Sequence, residues 1–306
     1  KGGAVLQILH NINVDWMGKR AIAYTISGVC VLISIVSLLV HGGPRYGVDF
    51  TGGTLVEVAV TPAPSADNVR HAMDASGIQG AEIQRVPSSG SFLIRMGVGQ
   101  GGADPAKTVR EALQSNLQGS EVKIRSVEGV GPRVGGELRG AAVKAVLLAL
   151  GLILVYVAIR YDWRYSFGAV AALFHDVFIA FGAVSLTNRE LTLTVVAALL
   201  TIAGFSINDT IVVFDRIRER KQALRKEAPE KVMNLAVNET LSRTVITSLT
   251  VTLTVLALFI FGGEVIHDFS FTMLVGVVFG TYSSVYVASA LALDTQLWLE
   301  RQGKKK

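Results

Sequence analysis

Six apolar runs divide the chain, and more polar segments separate them. Each run has about 20 residues, the length that an α-helix needs to cross the hydrocarbon core of a bilayer. The first run exceeds the 7 to 15 apolar residues typical of a signal peptide, so we expect an uncleaved span. The predicted spans are residues 21–41, 140–160, 165–186, 191–214, 243–262 and 269–293.

The segment 42–139 differs from these runs because its hydrophobic residues alternate with polar ones over short distances. Ser65 is placed to cap one helix, and Asp104 followed by Pro105 is typical of the start of a second. Ser88, Ser89 and Gly90 predict a hairpin between two short strands. The predicted order, βαββαβ, is that of a small ferredoxin-like α+β domain. Its predicted strands are 54–60, 81–86, 92–96 and 121–127.

Composition supports a membrane α-helical fold with six spans and one small domain. Half of the 306 residues are hydrophobic and 17% are charged, whereas soluble proteins have about 25% charged residues. The formal net charge of +5 could suggest a nucleic-acid partner, but the basic residues cluster beside the apolar runs. We therefore expect no nucleic acid. Cys30 is the single cysteine, so no disulfide can form within the chain.

The distribution of basic residues predicts the topology. Lysines and arginines are frequent in 1–20, in the loop before 165, in 215–242 and in 294–306, whereas Arg189 is the one basic residue in the short loops on the opposite side. Cytoplasmic loops carry an excess of such residues. Both termini and the amphipathic loop 215–242 are thus predicted to be cytoplasmic, and the domain 42–139 is predicted to lie outside the cytoplasm.

Asp209 lies within the fourth predicted span, next to Asn208 and Thr210 and near Ser206. The neutral side chains are typical of hydrogen bonds between membrane helices. A carboxylate in hydrocarbon is costly, and its presence there favours a functional site.

Arg243 opens the fifth predicted span, near the same membrane face as Asp209. The two side chains could form a structural salt bridge. Alternatively, Asp209 could gain and lose a proton as Arg243 approaches and withdraws, since a nearby cation favours the charged form of a carboxyl group.

His175 and Asp176 form a second titratable centre within the third predicted span. Small residues share the helix face of Asp176, which predicts that it points towards protein. Asp and His inside membrane spans are typical of proton relays.

Two glycine-containing patterns have simpler interpretations. Gly47, Gly52 and Gly53 lie where the chain leaves the first span, and we expect them to act as a hinge.

The sixth span carries small residues at every fourth position, which predicts a packing surface and no functional site. These residues are Gly276, Gly280, Ser284, Ala288 and Ala292.

Six segments, in this order, closely resemble motifs of SecF-type members of the SecD/SecF protein-export family, within the resistance-nodulation-division superfamily. They are Gly47–Gly53 (GVDFTGG), Gly131–Gly135 (GPRVG), His175–Asp176, Ser206–Glu219 (SINDTIVVFDRIRE), Ser242–Ser248 (SRTVITS) and Phe261–Gly263 (FGG). The resemblance covers nearly the whole chain.

The resemblance implies half of a transporter, with its small domain in the periplasm and its spans in the bacterial cytoplasmic membrane. It implies a SecD-like partner, the SecYEG channel and an unfolded preprotein as substrate. Protons would be the coupling ion, with no other cofactor. The family's proton-transfer residues correspond to Asp209 and Arg243, and Asp176 matches less closely.

Two other functional classes remain open. The chain could belong to a proton-driven small-molecule exporter of the same superfamily, or it could be a passive scaffold. Loss of proton flux on Asp209→Asn would separate a transporter from a scaffold. Catalytic triads, phosphate-binding loops and metal-ligand spacings are absent from the sequence, so we expect neither an enzyme nor a metal protein.

Overall fold

The computed structural model describes residues 13–86, 89–117, 119–262 and 264–303. The chain divides into two compact units, one formed by residues 46–144 and the other by 1–45 together with 145–306. Parts of some predicted segments lie outside the described residues. They are residues 1–12 of the N-terminal segment, Ser88 of the hairpin, Gly263 and lysines 304–306 of the tail.

The elements follow in chain order. They are α1 (Arg20–Val40), β1 (Arg45–Tyr46), α2 (Val48–Thr51), β2 (Gly53–Thr61), α3 (Ala66–Ala75), β3 (Glu82–Arg85), β4 (Phe92–Met96), α4 (Pro105–Asn116), β5 (Glu121–Val130), α5 (Pro132–Arg160), α6 (Trp163–Leu186), β6 (Glu190–Leu191), α7 (Leu193–Ala223), α8 (Pro229–Phe261), α9 (Glu264–Ser283), a π-helical turn (Ser284–Ala288) and α10 (Ser289–Gly303).

Six helices in the described part of the chain are long and apolar enough to cross a bilayer, which confirms the predicted number of spans. Several helices extend beyond those spans. The helix of the second span begins at Pro132, before residue 140. Helix α7 continues to Ala223 and α8 begins at Pro229, so most of the predicted loop 215–242 is helical. Apolar residues predict which part of a helix lies in the hydrocarbon core of the membrane. The helix itself is longer, because its backbone hydrogen bonds continue into the polar residues at either end.

The last span differs from the prediction in its regularity. The sequence predicts one helix over 269–293, but the π-helical turn Ser284–Ala288 interrupts it. Such turns contain an additional residue and are frequent at functional sites. The Ser289 hydroxyl donates to the Ser284 carbonyl at 3.0 Å and so satisfies a backbone acceptor within this turn.

Helices α6, α7 and the last span form the centre of the helical unit. About half of each is buried, whereas α1, α5 and α8 are mostly exposed. Phe214 of α7 is almost fully buried and packs edge-on against Tyr161 and Tyr165, with ring centroids 5.9 and 5.4 Å away. The polar side chains of interest therefore lie among tightly packed helices.

Glycines allow the central helices to approach closely. A Cβ atom on Gly276 would lie 2.2 Å from the side chain of Ile202 on α7, and one on Gly280 would lie 3.3 Å from Ser206. A Cβ atom on Gly168 of α6 would lie 2.6 Å from the carbonyl oxygen of Ala288. The predicted packing surface of the last span is therefore confirmed, and its neighbours are helices of the same chain.

Two asparagines one turn apart on α8 hold the segment before α1. The Asn238 side chain accepts from the Val14 N–H at 3.1 Å and from the Trp16 indole at 2.9 Å, and it donates to the Val14 carbonyl at 3.0 Å. Asn234 accepts from the Met17 N–H at 2.9 Å. These bonds attach the segment to α8 through its backbone and the Trp16 side chain.

Asp15 adds a charged group to this attachment. Its carboxylate accepts from the Gly18 N–H at 2.9 Å and from the Asn234 amide at 2.7 Å. The Gly18 bond and then the Asn234 bond hold the pKa of the Asp15 carboxyl below its usual value. The segment is therefore fixed by contacts that favour an ionised carboxylate.

The small unit contains the predicted ferredoxin-like α+β fold. Its four-stranded antiparallel sheet has the order β3-β4-β2-β5, and α3 and α4 contribute to the same core as the sheet. Ser65 Oγ accepts from the Asn68 N–H at 3.2 Å, and Asp104 Oδ1 accepts from the Lys107 N–H at 3.1 Å. Both predicted helix starts are therefore confirmed.

The glycines expected to form a hinge lie in ordered backbone. Gly47 precedes the short helix α2, and Gly52 follows it with a φ of +73°. Gly53 begins β2 with a φ of +120°, and a Cβ atom there would lie 2.6 Å from the Met96 carbonyl oxygen. Glycine is required at Gly53 for this close approach. A hinge function stays a prediction.

Candidate functional site

Asp209 lies in the middle of α7 and is buried, with 3% of the residue exposed. Its Oδ2 atom is buried and has no hydrogen-bond partner among the described residues. A buried polar atom normally has a partner, so an unpaired carboxylate oxygen needs an explanation. Its position in a membrane span makes a functional role the default hypothesis.

Arg243 lies on α8, which packs against α7. Its charge is near enough to act on the Asp209 carboxyl group. Among the described residues, however, no ion pair within 4.0 Å joins the two side chains, and Arg243 is exposed on the surface of the chain. The predicted pair is thus brought together without direct contact, and the salt bridge is not formed in this conformation.

An ion-pair cluster connects α7 to α8 one turn before Arg243. Arg216 donates to Glu239 at 2.7 Å, and Arg220 donates to the same carboxylate at 2.5 and 2.7 Å. Because Glu239 precedes Arg243 by four residues, the two lie on one face of α8. The cluster therefore helps to set the position of Arg243 relative to α7.

Asp176 forms a second centre, as a fully buried residue of α6. Its Oδ2 atom accepts from Ser206 of α7 and from Ser283 of α9, each at 2.5 Å. Its Oδ1 atom lies 2.8 Å from Nδ1 of His175. The predicted inward orientation of Asp176 is confirmed, and its bonds connect the three central helices.

The other predicted polar residues separate into two groups. Thr210 is buried and its hydroxyl lies 3.0 Å from that of Ser284. Asn208, on the opposite face of α7, is exposed. Ser283 and Ser284 are further functional candidates that the sequence alone does not identify. They are two adjacent serines in an apolar helix, but the small-residue pattern around them predicts packing alone.

A set of small and polar residues lies exposed on the helices that carry Asp209 and Arg243. We call this set the polar surface stripe. Its members are Ala197, Thr201, Gly204 and Asn208 on α7, and Arg243, Thr250 and Thr254 on α8. Lipid tails suit leucine and valine better than these residues, and small residues favour close contact with another helix. The stripe is therefore suited to contact with protein.

No group of three or more His, Cys, Asp or Glu side chains is placed to hold a metal ion within the part of the chain that the structure describes. The chemistry available at the site is accordingly that of two buried carboxyl groups, one histidine, one arginine and several hydroxyls.

Two family models match the chain. The model described as protein export membrane protein SecD/SecF, C-terminal, matches residues 109–298. The model described as the SecD/SecF GG motif matches residues 37–64. The second match contains all three glycines of the expected hinge.

Curated relatives are similar over nearly their whole length. Protein translocase subunit SecF of Thermodesulfovibrio yellowstonii is 41% identical over 293 residues, which cover 94% of this chain and 97% of that protein. Protein translocase subunit SecF of Escherichia coli O157:H7 is 39% identical over 310 residues, which cover 99% of this chain and 94% of that protein.

Solved structures have the same fold. The crystal structure of SecDF from Thermus thermophilus, a translocon-associated membrane protein, is 37% identical with a TM-score of 0.84. The match covers 97% of this chain and 40% of the SecDF chain. A super-membrane-facing form of SecDF has a TM-score of 0.72 with the same coverage. This chain therefore spans about two fifths of the SecDF chains.

Proposed function

Because the chain belongs to the SecF family of protein translocase subunits, we propose that it uses the proton-motive force to assist preprotein movement across the cytoplasmic membrane. On this proposal the chain works with a SecD-like partner and the SecYEG channel. It acts late in translocation, without ATP. The names of its relatives favour this function over small-molecule export.

The proposal rests mainly on the Oδ2 atom of Asp209, which is buried and has no hydrogen-bond partner among the described residues. A proton on this carboxyl group removes a charge that the surrounding helix core does not solvate. Approach of Arg243 favours the charged form instead, because an opposite charge within about 4 to 6 Å stabilises a carboxylate. Movement of α8 relative to α7 can therefore make Asp209 take up and release a proton.

The energy available is sufficient for such a movement. A proton that crosses the membrane carries about 2.3 kcal/mol per 100 mV of potential. Conformations of one protein commonly differ by a few kcal/mol, so one or two protons can shift their populations. We propose that the ferredoxin-like domain moves with the helices, that Gly47, Gly52 and Gly53 act as its hinge, and that this movement draws a preprotein segment outwards.

The polar surface stripe supports a second membrane subunit as partner. Arg243 opens the fifth predicted span, and an arginine in contact with lipid there must extend to the membrane interface or find a polar partner. A neighbouring helix bundle with polar groups would supply that partner, and Gly204 and Ala197 would let its helices approach closely. A SecD-like subunit fits this description. The match covers 40% of the SecDF chain, so most of that chain lies outside the part that resembles this protein.

Reconstitution tests the proposed function. The chain, its SecD-like partner and the SecYEG channel would be placed in vesicles with a preprotein arrested late in translocation. We expect completion of export to accelerate when a proton gradient is imposed, and only when both subunits are present. Equal rates with the gradient collapsed, at unchanged complex assembly, would contradict the proposal.

The proposed topology places the ferredoxin-like domain in the periplasm, with both termini and the connection between α7 and α8 in the cytoplasm. Ala75 and Ala223 are both exposed and suit a matched pair of alanine-to-cysteine changes. In a Cys30→Ser background, we expect an impermeant thiol reagent to label Ala75→Cys on intact cells and Ala223→Cys only after lysis. The reverse pattern would overturn the topology.

A further inference from the structure

The proposed function uses Asp209, but Asp176 is the more deeply buried of the two buried carboxyl groups among the described residues of the helical unit. Asp176, Ser206 and Ser283 are all fully buried. The two serine hydroxyls donate to one oxygen, Oδ2, each at 2.5 Å. Two hydroxyl donors on one oxygen favour the ionised form of a carboxyl group. The site thus holds the Asp176 carboxyl group by hydrogen bonds from two other helices.

Among the described residues, no lysine or arginine forms an ion pair with Asp176. The titratable groups around the site are His175 on the same helix and Tyr282 on α9, with Cys30 of α1 beside Tyr282. Asp209 follows Ser206 by three residues on α7. Within the described residues, His175 is the one cationic side-chain type in contact with Asp176.

His175 contacts Asp176 Oδ1 through its Nδ1 atom at 2.8 Å. Its Nε2 atom is buried without a hydrogen-bond partner in the described part of the chain. In its ionised form, the Asp176 carboxylate is a buried charge that accepts from two neutral hydroxyls, and a proton on it would remove that charge.

A proton on Oδ2 would change the hydrogen bonds around it. The protonated oxygen then donates at one of these contacts, so one serine hydroxyl must reverse and accept from it, and the proton of that serine needs another acceptor. Ser283 has another acceptor within reach, the Gly280 carbonyl at 3.2 Å. Ser283 also directly precedes the π-helical turn, whose first residue, Ser284, bonds to the Gly280 carbonyl at 2.9 Å.

From these contacts we propose that Asp176 is a second proton-binding site, and that on protonation the Ser283 hydroxyl turns its proton to the Gly280 carbonyl, which Ser284 already uses, and so rearranges the π-helical turn. The ligand is a proton, which arrives on Oδ2 and later leaves from it. The π-helical turn is the element that changes, because the extra residue in such a turn can be redistributed along the helix. The carbonyl of Ala288 at its end contacts Gly168 of α6, so the rearrangement reaches the helix that carries Asp176.

This inference extends the proposed proton-driven function, and its test uses a readout that does not depend on transport. Infrared difference spectra between acidic and alkaline buffer report protonated carboxyl groups directly. The full chain in lipid bilayers would be compared with Asp176→Asn and Asp209→Asn. Asparagine can accept the two serine bonds, so Asp176→Asn removes the proton site while it keeps the packing.

We expect Asp176→Asn to remove one carboxylic-acid band that Asp209→Asn retains. Spectra of Asp176→Asn identical to those of the unchanged chain would overturn the proposal. If export proved insensitive to Asp209→Asn, the proposed function would fail while this result could still stand.

Ser283→Ala gives a second test that keeps the carboxyl group. Removal of one donor to the charged form should make the Asp176 band persist to a pH about one unit more alkaline, a roughly tenfold change in proton affinity. Ser185→Ala is the matched control, because Ser185 makes a buried hydroxyl contact to Ser37 at 3.0 Å. An equal shift in both variants, or a shift in neither, would contradict the link between Ser283 and Asp176.

Discussion

Asp209→Asn is expected to abolish the proton-dependent part of export while the chain still folds and assembles. Asparagine has nearly the same shape as aspartate but cannot take up or release a proton at this position. Since Asp209 Oδ2 makes no hydrogen bond among the described residues, the change removes no contact that stabilises the fold. Export would be measured in vesicles with and without a proton gradient, alongside recovery of the complex.

Asp215→Asn is the matched control for this prediction. Asp215 lies on the same helix, but it accepts from Arg160 at 3.0 and 3.1 Å and from Tyr161 at 3.0 Å. We expect this variant to lose some stability, on the order of 1 kcal/mol, and to keep its dependence on the gradient. Export by Asp209→Asn at the unchanged rate, with the same response to the gradient, would return Asp209 to a structural role.

Arg243 variants test the other half of the pair. Arg243→Lys should retain part of the proton-dependent activity, because an ammonium group supplies the charge without the planar fork of the guanidinium. Arg243→Gln should retain none, since it supplies no charge. Equal activities of the two variants would show that the charge of Arg243 does not act on Asp209.

Gly168→Ala is expected to destabilise the helical unit strongly, although alanine is the better helix former. The added Cβ atom would lie 2.6 Å from the Ala288 carbonyl oxygen and 3.2 Å from the Ala292 N atom. Both atoms belong to the backbone, so relief requires α6 and the last span to move apart. Such overpacking typically costs about 1 to 3 kcal/mol and occasionally more. Unfolding of the purified chain in mixed detergent would measure this loss.

Gly151→Ala makes the same chemical change at a position without neighbours. Gly151 lies on the exposed side of α5, and an added Cβ atom would meet nothing within 4 Å. We expect this variant to be as stable as the unchanged chain or more stable, by up to about 1 kcal/mol, because alanine favours a helix over glycine. Equal stabilities of Gly151→Ala and Gly168→Ala would show that the close contact between α6 and the π-helical turn is absent.

Local signals in the sequence were sufficient for several conclusions. The lengths of the apolar runs determined the number of spans, since a bilayer sets that length. Ser65 and Asp104 determined where two helices of the small domain begin, because a cap acts on backbone groups within three residues. The carboxyl groups of Asp176 and Asp209 could be identified as candidates because an ionisable residue in an apolar run is costly wherever the run packs.

Contacts between segments far apart in the chain could not be predicted from such local signals. Ser283 is 107 residues from Asp176, and only the packing of α9 on α6 brings the two together. The attachment of Val14 to Asn238 likewise joins residues 224 positions apart. Neither residue of such a pair carries a sequence signal that identifies the other.

Small-residue patterns predicted the packing faces of α6 and of the last span, but the tertiary structure alone decided the orientation of the other membrane helices. In a soluble protein the apolar face of a helix marks its buried side, but a membrane helix is apolar on every face that meets lipid. The direction that Asn208 or Arg243 faces therefore depends on which helices lie beside it. Close contacts of Gly168 with Ala288 and of Gly276 with Ile202 select that arrangement. The packing energy of such contacts is the sum of many weak van der Waals attractions between residues far apart in the chain. A local sequence pattern does not contain this information.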